Sequence, residues 1–199
     1  MQRTMGLATI ASILLAILIG LVVVMVVTRN PPGPPIVQTD EVKAFELIDT
    51  KGALVTPANF SGKWSLLFFG FTRCPDVCPT TLIDMGQLLE RMGPQAEKIQ
   101  PVFISVDPEW DTQERMADYM ENFDPRIIGL TGSMDQVREA AKNYSVFFRK
   151  IALEGDGYTI DHSAALYLLN PDGAYVRPYS WQDGAEELAE KLSAVMNER

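Results

Sequence analysis

The sequence is poor in residues that bind soft metals or exchange electrons through thiols. Its 199 residues include two cysteines and one histidine. Cys74 and Cys78 lie four positions apart, and His162 follows Cys78 after 84 positions. Methionine aside, any chemistry of this kind must therefore use these three side chains.

Basic residues are also scarce beyond the N-terminal segment. Two of the 17 Lys and Arg residues precede residue 30, which leaves 15 against 26 Asp and Glu and a net charge of −11. A domain with this charge is repelled by the phosphates of nucleic acids and by anionic lipid surfaces. We therefore expect no nucleic-acid partner. The charge suits either solubility or a basic protein partner.

Charged side chains are absent from residues 6–28, which are mostly Ile, Leu, Val, Ala and Met. As a helix, these 23 residues reach roughly 34 Å, enough to cross a hydrocarbon core of about 30 Å. The run is too long for a cleavable signal peptide, and no Ala-x-Ala pattern ends it. We predict a tail at 1–5, a transmembrane anchor at 6–28, a Pro-rich linker at 29–41 and a soluble domain at 42–199.

No internal repeat is visible in the soluble part, where strand and helix patterns alternate. Strands are predicted at 45–48, 53–55, 64–71, 99–106, 127–130, 145–153, 164–169 and 174–178. Helices are predicted from the cysteines to residue 92 and at 112–122, 133–144 and 185–197. The fold class is therefore α/β, with a leading β-hairpin and a central mixed sheet flanked by helices. A cysteine pair between a buried strand and a helix indicates a thioredoxin-like fold.

The position of the cysteine pair predicts reactive sulfurs. A thiol at a helix N-terminus is favoured as thiolate by the helix dipole and by free backbone N–H groups, and Arg73 adds a positive charge. Cysteines at i and i+4 share one helical face, so both sulfurs can converge on one atom or on each other. Dithiol redox motifs usually have two intervening residues, and the three found here leave room for a guest between the sulfurs.

Copper suits this short list of ligands better than zinc does. Zinc usually takes four protein ligands in a structural site, and the chain offers three good ones. Cu(I) prefers thiolates and accepts a low coordination number, so Cys74, Cys78 and His162 would suit it. Asp161, next to His162, is a candidate partner for the imidazole ring.

Plainer interpretations of the same residues remain open. The cysteines can form a structural disulfide or a redox couple, although so short a loop constrains little chain entropy. A lone histidine is commonly a structural residue. The methionine pairs Met85/Met92 and Met116/Met120 follow helical spacing and are predicted to pack in the core. The segment 107–111 is predicted to be a solvated loop that caps the next helix.

Four segments occur in a distinctive order along the chain. They are Gly-Phe-Thr-Arg-Cys-Pro-Asp-Val-Cys-Pro at 70–79, Ser-Val-Asp-Pro-Glu at 105–109 with Asp111 and Thr112, Gly-Leu-Thr-Gly at 129–132, and Asp-His-Ser at 161–163 before Asn-Pro-Asp-Gly at 170–173. Together they resemble the Sco/SenC family over about residues 42–197. This resemblance implies a membrane-anchored, thioredoxin-like copper protein that helps to build the dinuclear copper centre of cytochrome c oxidase.

The resemblance also implies particular ligands, partners and a location. The family's copper ligands fall on Cys74, Cys78 and His162, which would bind copper as Cu(I) or Cu(II). The expected partners are the copper-accepting oxidase subunit and an upstream periplasmic copper donor or thiol reductant. The domain is expected in the periplasm, tethered to the bacterial inner membrane by a single span. Trp110 departs from the family, in which an arginine is common at this position.

Two functions follow from the sequence and stay open at this point. The first is a copper metallochaperone, which would not be a turnover enzyme. The alternative is a thiol-disulfide oxidoreductase that uses Cys74 and Cys78 to reduce the copper-ligand cysteines of the oxidase subunit or to act in redox signalling. The oxidoreductase has no need of His162.

Overall fold

A computed structural model describes residue 6 and residues 11–21, 44–155 and 157–198. The chain divides into two units, Met1–Ile36 and Val37–Arg199. Residues 11–21 of the first unit are helical. Within the described ranges, no helix combines the length and the apolar character needed to span a membrane. The predicted anchor lies partly outside these ranges, and the predicted tail and linker lie entirely outside them.

The second unit is built on a mixed β-sheet. Its strands are β1 (Leu47–Asp49), β2 (Leu54–Val55), β3 (Trp64–Gly70), β4 (Ile99–Ser105), β5 (Ile128–Thr131), β6 (Phe148–Ala152), β7 (Tyr158–His162), β8 (Ala165–Leu169) and β9 (Tyr175–Ser180). Seven of them form one sheet in the order β2-β1-β5-β4-β3-β8-β9, while β6 and β7 form a separate antiparallel hairpin. In the sheet, β3, β4 and β5 are parallel, and β1 and β8 run antiparallel to their neighbours.

The helices are α1 (Val77–Met92), α2 (Gln113–Met120), α3 (Met134–Asn143) and α4 (Gly184–Asn197). Local sequence signals explain their ends. The side chain of Ser133 accepts a hydrogen bond from the backbone N–H of Gln136 in a capping box before α3. The side chain of Thr112 accepts one from the backbone N–H of Arg115 at the start of α2. Gly93, with φ of +52°, ends α1.

The core lies on both faces of β3, whose residues are all buried. Successive side chains of a strand point to opposite faces. Phe68 therefore stacks on Phe103 on one face, while Phe69 contacts Tyr144 and Tyr167 on the other. This double burial explains why the segment is almost continuously apolar.

Most of the predicted elements are confirmed, including the α/β class, the leading hairpin β1–β2 and the helical core methionines, which are all buried. One strand was missed, and it is β7, which carries His162. The hairpin that β7 forms with β6 lies outside the sheet, and most of its side chains are exposed or half-buried. Of the five residues of β7, Ile160 alone is buried, so the sequence offers little apolar alternation to detect.

We expect Phe69→Ala to destabilise the protein by about 3 to 5 kcal/mol, because the ring is fully buried between two aromatic neighbours. Phe147→Ala is the matched control, since Phe147 is 52% exposed and should lose less than about 0.5 kcal/mol. Urea unfolding of both variants measures the difference. Equal losses in the two variants would contradict this description of the core.

Candidate metal centre

The two cysteines occupy different backbone environments at the end of the central strand. After β3 ends at Gly70, a loop carries half-buried Cys74, and buried Cys78 is the second residue of α1. The prediction that both cysteines share one helical face is therefore wrong. Instead, the backbone N–H of Cys78 points at Cys74 and donates a hydrogen bond of 3.4 Å to its Sγ. Both thiols are free.

His162 completes a group of three candidate ligands. It is the last residue of β7, where it pairs with Phe148 of β6. Its Nε2 lies 3.7 Å from Sγ of Cys78, and one ligand atom from each of Cys74, Cys78 and His162 falls within 4.8 Å of the others. Phe71 holds the imidazole edge-on at 5.8 Å. The structure thus brings together the three residues selected from the sequence.

The ring of His162 is oriented by a backbone carbonyl. Its Nδ1 lies 3.1 Å from the carbonyl oxygen of Ser163. Because a carbonyl oxygen only accepts hydrogen bonds, we assign the proton to Nδ1, which leaves the Nε2 lone pair directed at Cys78. This arrangement fixes the tautomer that a metal needs. Asp161, the partner expected from the sequence, lies on the opposite side of β7, where it pairs with Arg149 at 3.6 Å.

Gly70 makes space for the buried sulfur. A Cβ atom at this position would lie 2.6 Å from Sγ of Cys78 and 2.8 Å from the ring of Phe103. Any other residue would therefore displace Cys78 or the core beneath it. Two thiols and an imidazole nitrogen with a free lone pair, gathered in such a site, form a donor set that fits Cu(I).

The two thiols have very different proton affinities. A hydrogen bond from the thiol of Cys78 lowers the pKa of Cys74 to about 3, with the backbone N–H groups of Asp76 and Cys78 contributing and desolvation by burial opposing. The same hydrogen bond, together with burial, raises the pKa of Cys78 far above its ordinary value. The reduced, metal-free pair is therefore one thiolate, on Cys74, beside one thiol.

Arg73 does not act as expected from the sequence. Its charge is not among the causes of the low Cys74 pKa. The guanidinium group instead pairs with Asp107 at 3.1 Å and stacks on the rings of Trp110 and Tyr158, each at 4.2 Å. Trp110 is 38% exposed and contacts Arg73 through this stacking.

The prediction of a solvated loop at 107–111 holds for Glu109 and Trp110, which are exposed, and is wrong for Asp107 and Asp111, which are both fully buried. Asp111 accepts hydrogen bonds from the backbone N–H and hydroxyl of Thr72, at 3.1 and 2.5 Å, and from the hydroxyl of Ser105 at 2.5 Å. Burial raises the pKa of Asp111, and the bonds from Ser105 and Thr72 oppose that rise. The carboxylate thereby ties the cysteine loop to the end of β4.

Comparison with known proteins places this geometry in context. A family model described as SCO1/SenC matches residues 34–197. The mouse Protein SCO2 homolog, mitochondrial, is 44% identical over 151 residues, which is 74% of this chain and 59% of that protein. The chain therefore spans about three fifths of the length of that curated relative.

Two solved structures share the fold. ScoI of Bradyrhizobium japonicum with copper bound is 40% identical, with a TM-score of 0.70, over 76% of this chain and 96% of that one. Arabidopsis thaliana ScoI with copper bound is 36% identical, with a TM-score of 0.74, over 78% and 98%. These matches confirm the thioredoxin-like α/β fold.

We expect the reduced, metal-free protein to keep one thiolate across the neutral range, because the pKa of Cys74 is about 3. Thiolate absorbance in the ultraviolet, followed against pH, should be constant between about pH 5 and 8, where an ordinary thiol of pKa about 8.5 is mostly protonated. Cys74→Ser should abolish the signal. A titration with its midpoint near the ordinary thiol pKa would contradict the assignment.

Proposed function

Because the chain belongs to the SCO1/SenC family, we propose that it is a copper metallochaperone that delivers copper to the dinuclear copper centre of cytochrome c oxidase during assembly. Sco proteins are copper-binding proteins of cytochrome c oxidase assembly, and the ScoI structures of Bradyrhizobium japonicum and Arabidopsis thaliana hold copper. The observation that carries the proposal is the convergence of Cys74, Cys78 and His162 within 4.8 Å. These three side chains would bind the copper ion as cargo.

The asymmetry of the site suits transfer of a metal ion. Cys74 is half-buried and carries the thiolate, whereas Cys78 is buried behind it against Gly70. An incoming ligand from an acceptor therefore meets Cys74 first. Three protein ligands also leave a coordination position that a donor or acceptor can use, so copper can be passed by ligand exchange.

The proposed setting comes from the sequence and the family. The uncharged run at 6–28 would anchor the chain as a single span in the bacterial inner membrane, with the domain in the periplasm. There it would meet the copper-accepting oxidase subunit and an upstream copper donor or thiol reductant. The acidic domain would be drawn to a basic surface on such a partner.

Copper titration tests the ligand assignment directly. The reduced, full-length protein in detergent should bind copper stoichiometrically, and Cys74→Ser, Cys78→Ser and His162→Ala should each lose tight binding because each removes one donor atom. Met116→Leu is a control, since Met116 is a buried core methionine that should not contribute. Chelator competition reports the affinity. Full copper retention in all three ligand variants would reject the proposal.

The paired thiols support a second candidate function, a thiol-disulfide oxidoreductase. The Cys74 thiolate would attack a disulfide of the target and form a mixed disulfide, releasing one target thiolate. Cys78, after losing its proton, would then attack Cys74 and release the second target thiol, leaving a Cys74–Cys78 disulfide. The target gains the two electrons that the cysteine pair loses. A thiol reductant must afterwards restore the pair.

A complementation experiment separates the two functions. In a strain lacking this protein and deficient in oxidase, we expect His162→Ala to fail to restore oxidase activity, because copper binding needs the imidazole whereas disulfide exchange does not. Immunoblotting should show wild-type amounts of the variant. Rescue equal to that of the wild type would favour the oxidoreductase.

A further inference from the structure

The candidate ligands come from two parts of the fold that share no β-sheet hydrogen bonds. The cysteines follow β3 of the central sheet, whereas His162 lies on the β6–β7 hairpin, which is separate from that sheet. The hairpin is largely exposed, since four of the five residues of β6 are exposed. The chain enters β8, which pairs with β3, three residues after His162, so the sheet fixes this end of the hairpin. Contacts between side chains must hold the rest of the hairpin against the cysteine loop.

One buried carboxylate collects several of these contacts. Asp107 lies just beyond β4 and is fully buried. It accepts a hydrogen bond from Arg73 at 3.1 Å and from the hydroxyl of Tyr158, which lies 2.9 and 3.0 Å from its two oxygens. The ammonium group of Lys150 lies 3.5 Å from Oδ1. Arg73 precedes Cys74, Lys150 lies on β6 and Tyr158 begins β7, so Asp107 joins both ligand-bearing parts.

Stacking reinforces the same junction. The guanidinium group of Arg73 lies 4.2 Å from the ring of Tyr158, and the ammonium group of Lys150 lies 4.4 Å from it. The cysteine loop and the hairpin thus touch directly. Arg73 pairs with Asp107, whereas Lys150 is shared between Asp107 and Glu109. Removing the charge of Asp107 takes the carboxylate partner from Arg73 and leaves a weaker, neutral acceptor for Arg73 and the Tyr158 hydroxyl at a buried position.

We propose that Asp107 is a positioning residue for the metal centre, which fixes the His162 hairpin against the cysteine loop through Arg73, Tyr158 and Lys150. This inference rests on the proposed function, because it assumes that His162 and the cysteines bind one copper ion. A preassembled set of ligands loses less conformational freedom on binding, so the carboxylate raises copper affinity without touching the ion.

The test uses Asp107→Asn, which keeps the side-chain volume and removes the charge. In the reduced, full-length protein, Cu(I) affinity measured against a chromophoric chelator should fall about 10- to 100-fold. Asp124→Asn is the matched control, because Asp124 also pairs with an arginine, Arg126, and neither residue belongs to the junction. Its affinity should equal that of the wild type.

A double-mutant cycle separates positioning from general destabilisation. Asp107 acts through the placement of His162, so Asp107→Asn should have little further effect on affinity in a His162→Ala background. A general loss of stability would lower affinity equally in both backgrounds, and that result would overturn the inference. Wild-type affinity in Asp107→Asn alone would also overturn it. The proposed function itself is rejected by a different result, full copper retention in Cys74→Ser, Cys78→Ser and His162→Ala.

Amide hydrogen exchange of the metal-free protein gives an independent readout. Asp107→Asn should speed exchange in β6 and β7 and leave β3 and β4 protected as in the wild type. Unchanged protection of the hairpin would reject the inference. Should Asp107→Asn not fold, Tyr158→Phe carries the same tests, because it removes one bond to Asp107 and keeps the ring on which Arg73 stacks. Its affinity should fall by a smaller factor.

Discussion

The metal centre depends on the close approach of β3 and α1 at Gly70. The Cys78 sulfur occupies the space that a Cβ atom of residue 70 would take, and Phe103 closes that space from below. Parallel pairing of β3 with β4 brings the carboxyl ends of both strands to one edge of the sheet. The cysteine loop and the segment that begins with Asp107 therefore emerge side by side. Both buried carboxylates of that segment, Asp107 and Asp111, are used to hold this edge together.

The charges at this edge are arranged so that the thiolate stays available to a cation. The positive charge of Arg73 is balanced by Asp107, and the Cys74 thiolate is stabilised mainly by hydrogen bonds from Cys78 and backbone N–H groups. Hydrogen bonds lower the pKa without adding a cation that would repel an incoming metal. The same arrangement serves thiol-disulfide exchange, because it places the thiolate on the more exposed sulfur.

Local elements of the fold could be predicted from the sequence, and long-range placements could not. The buried run at 64–71 and the capping box at Ser133 depend on neighbouring residues, so pattern and propensity sufficed. The burial of Asp107 depends on Arg73 and Tyr158, which lie 34 and 51 positions away, and a segment rich in acidic residues looks solvated. Likewise, the three ligands were identified by their chemistry, while the strand that presents His162 was missed.

The orientation of the imidazole helps to decide whether the protein mainly delivers copper or exchanges electrons through its thiols. Thiol-disulfide exchange between Cys74 and Cys78 has no need of a histidine in a fixed tautomer. Here the Ser163 carbonyl holds Nδ1 and directs the Nε2 lone pair at the Cys78 sulfur, 3.7 Å away. A lone pair that faces the Cys78 sulfur, with the Cys74 sulfur within 4.8 Å, offers a soft cation three donor atoms. The cysteines alone suit either function, and it is the fixed histidine that favours copper.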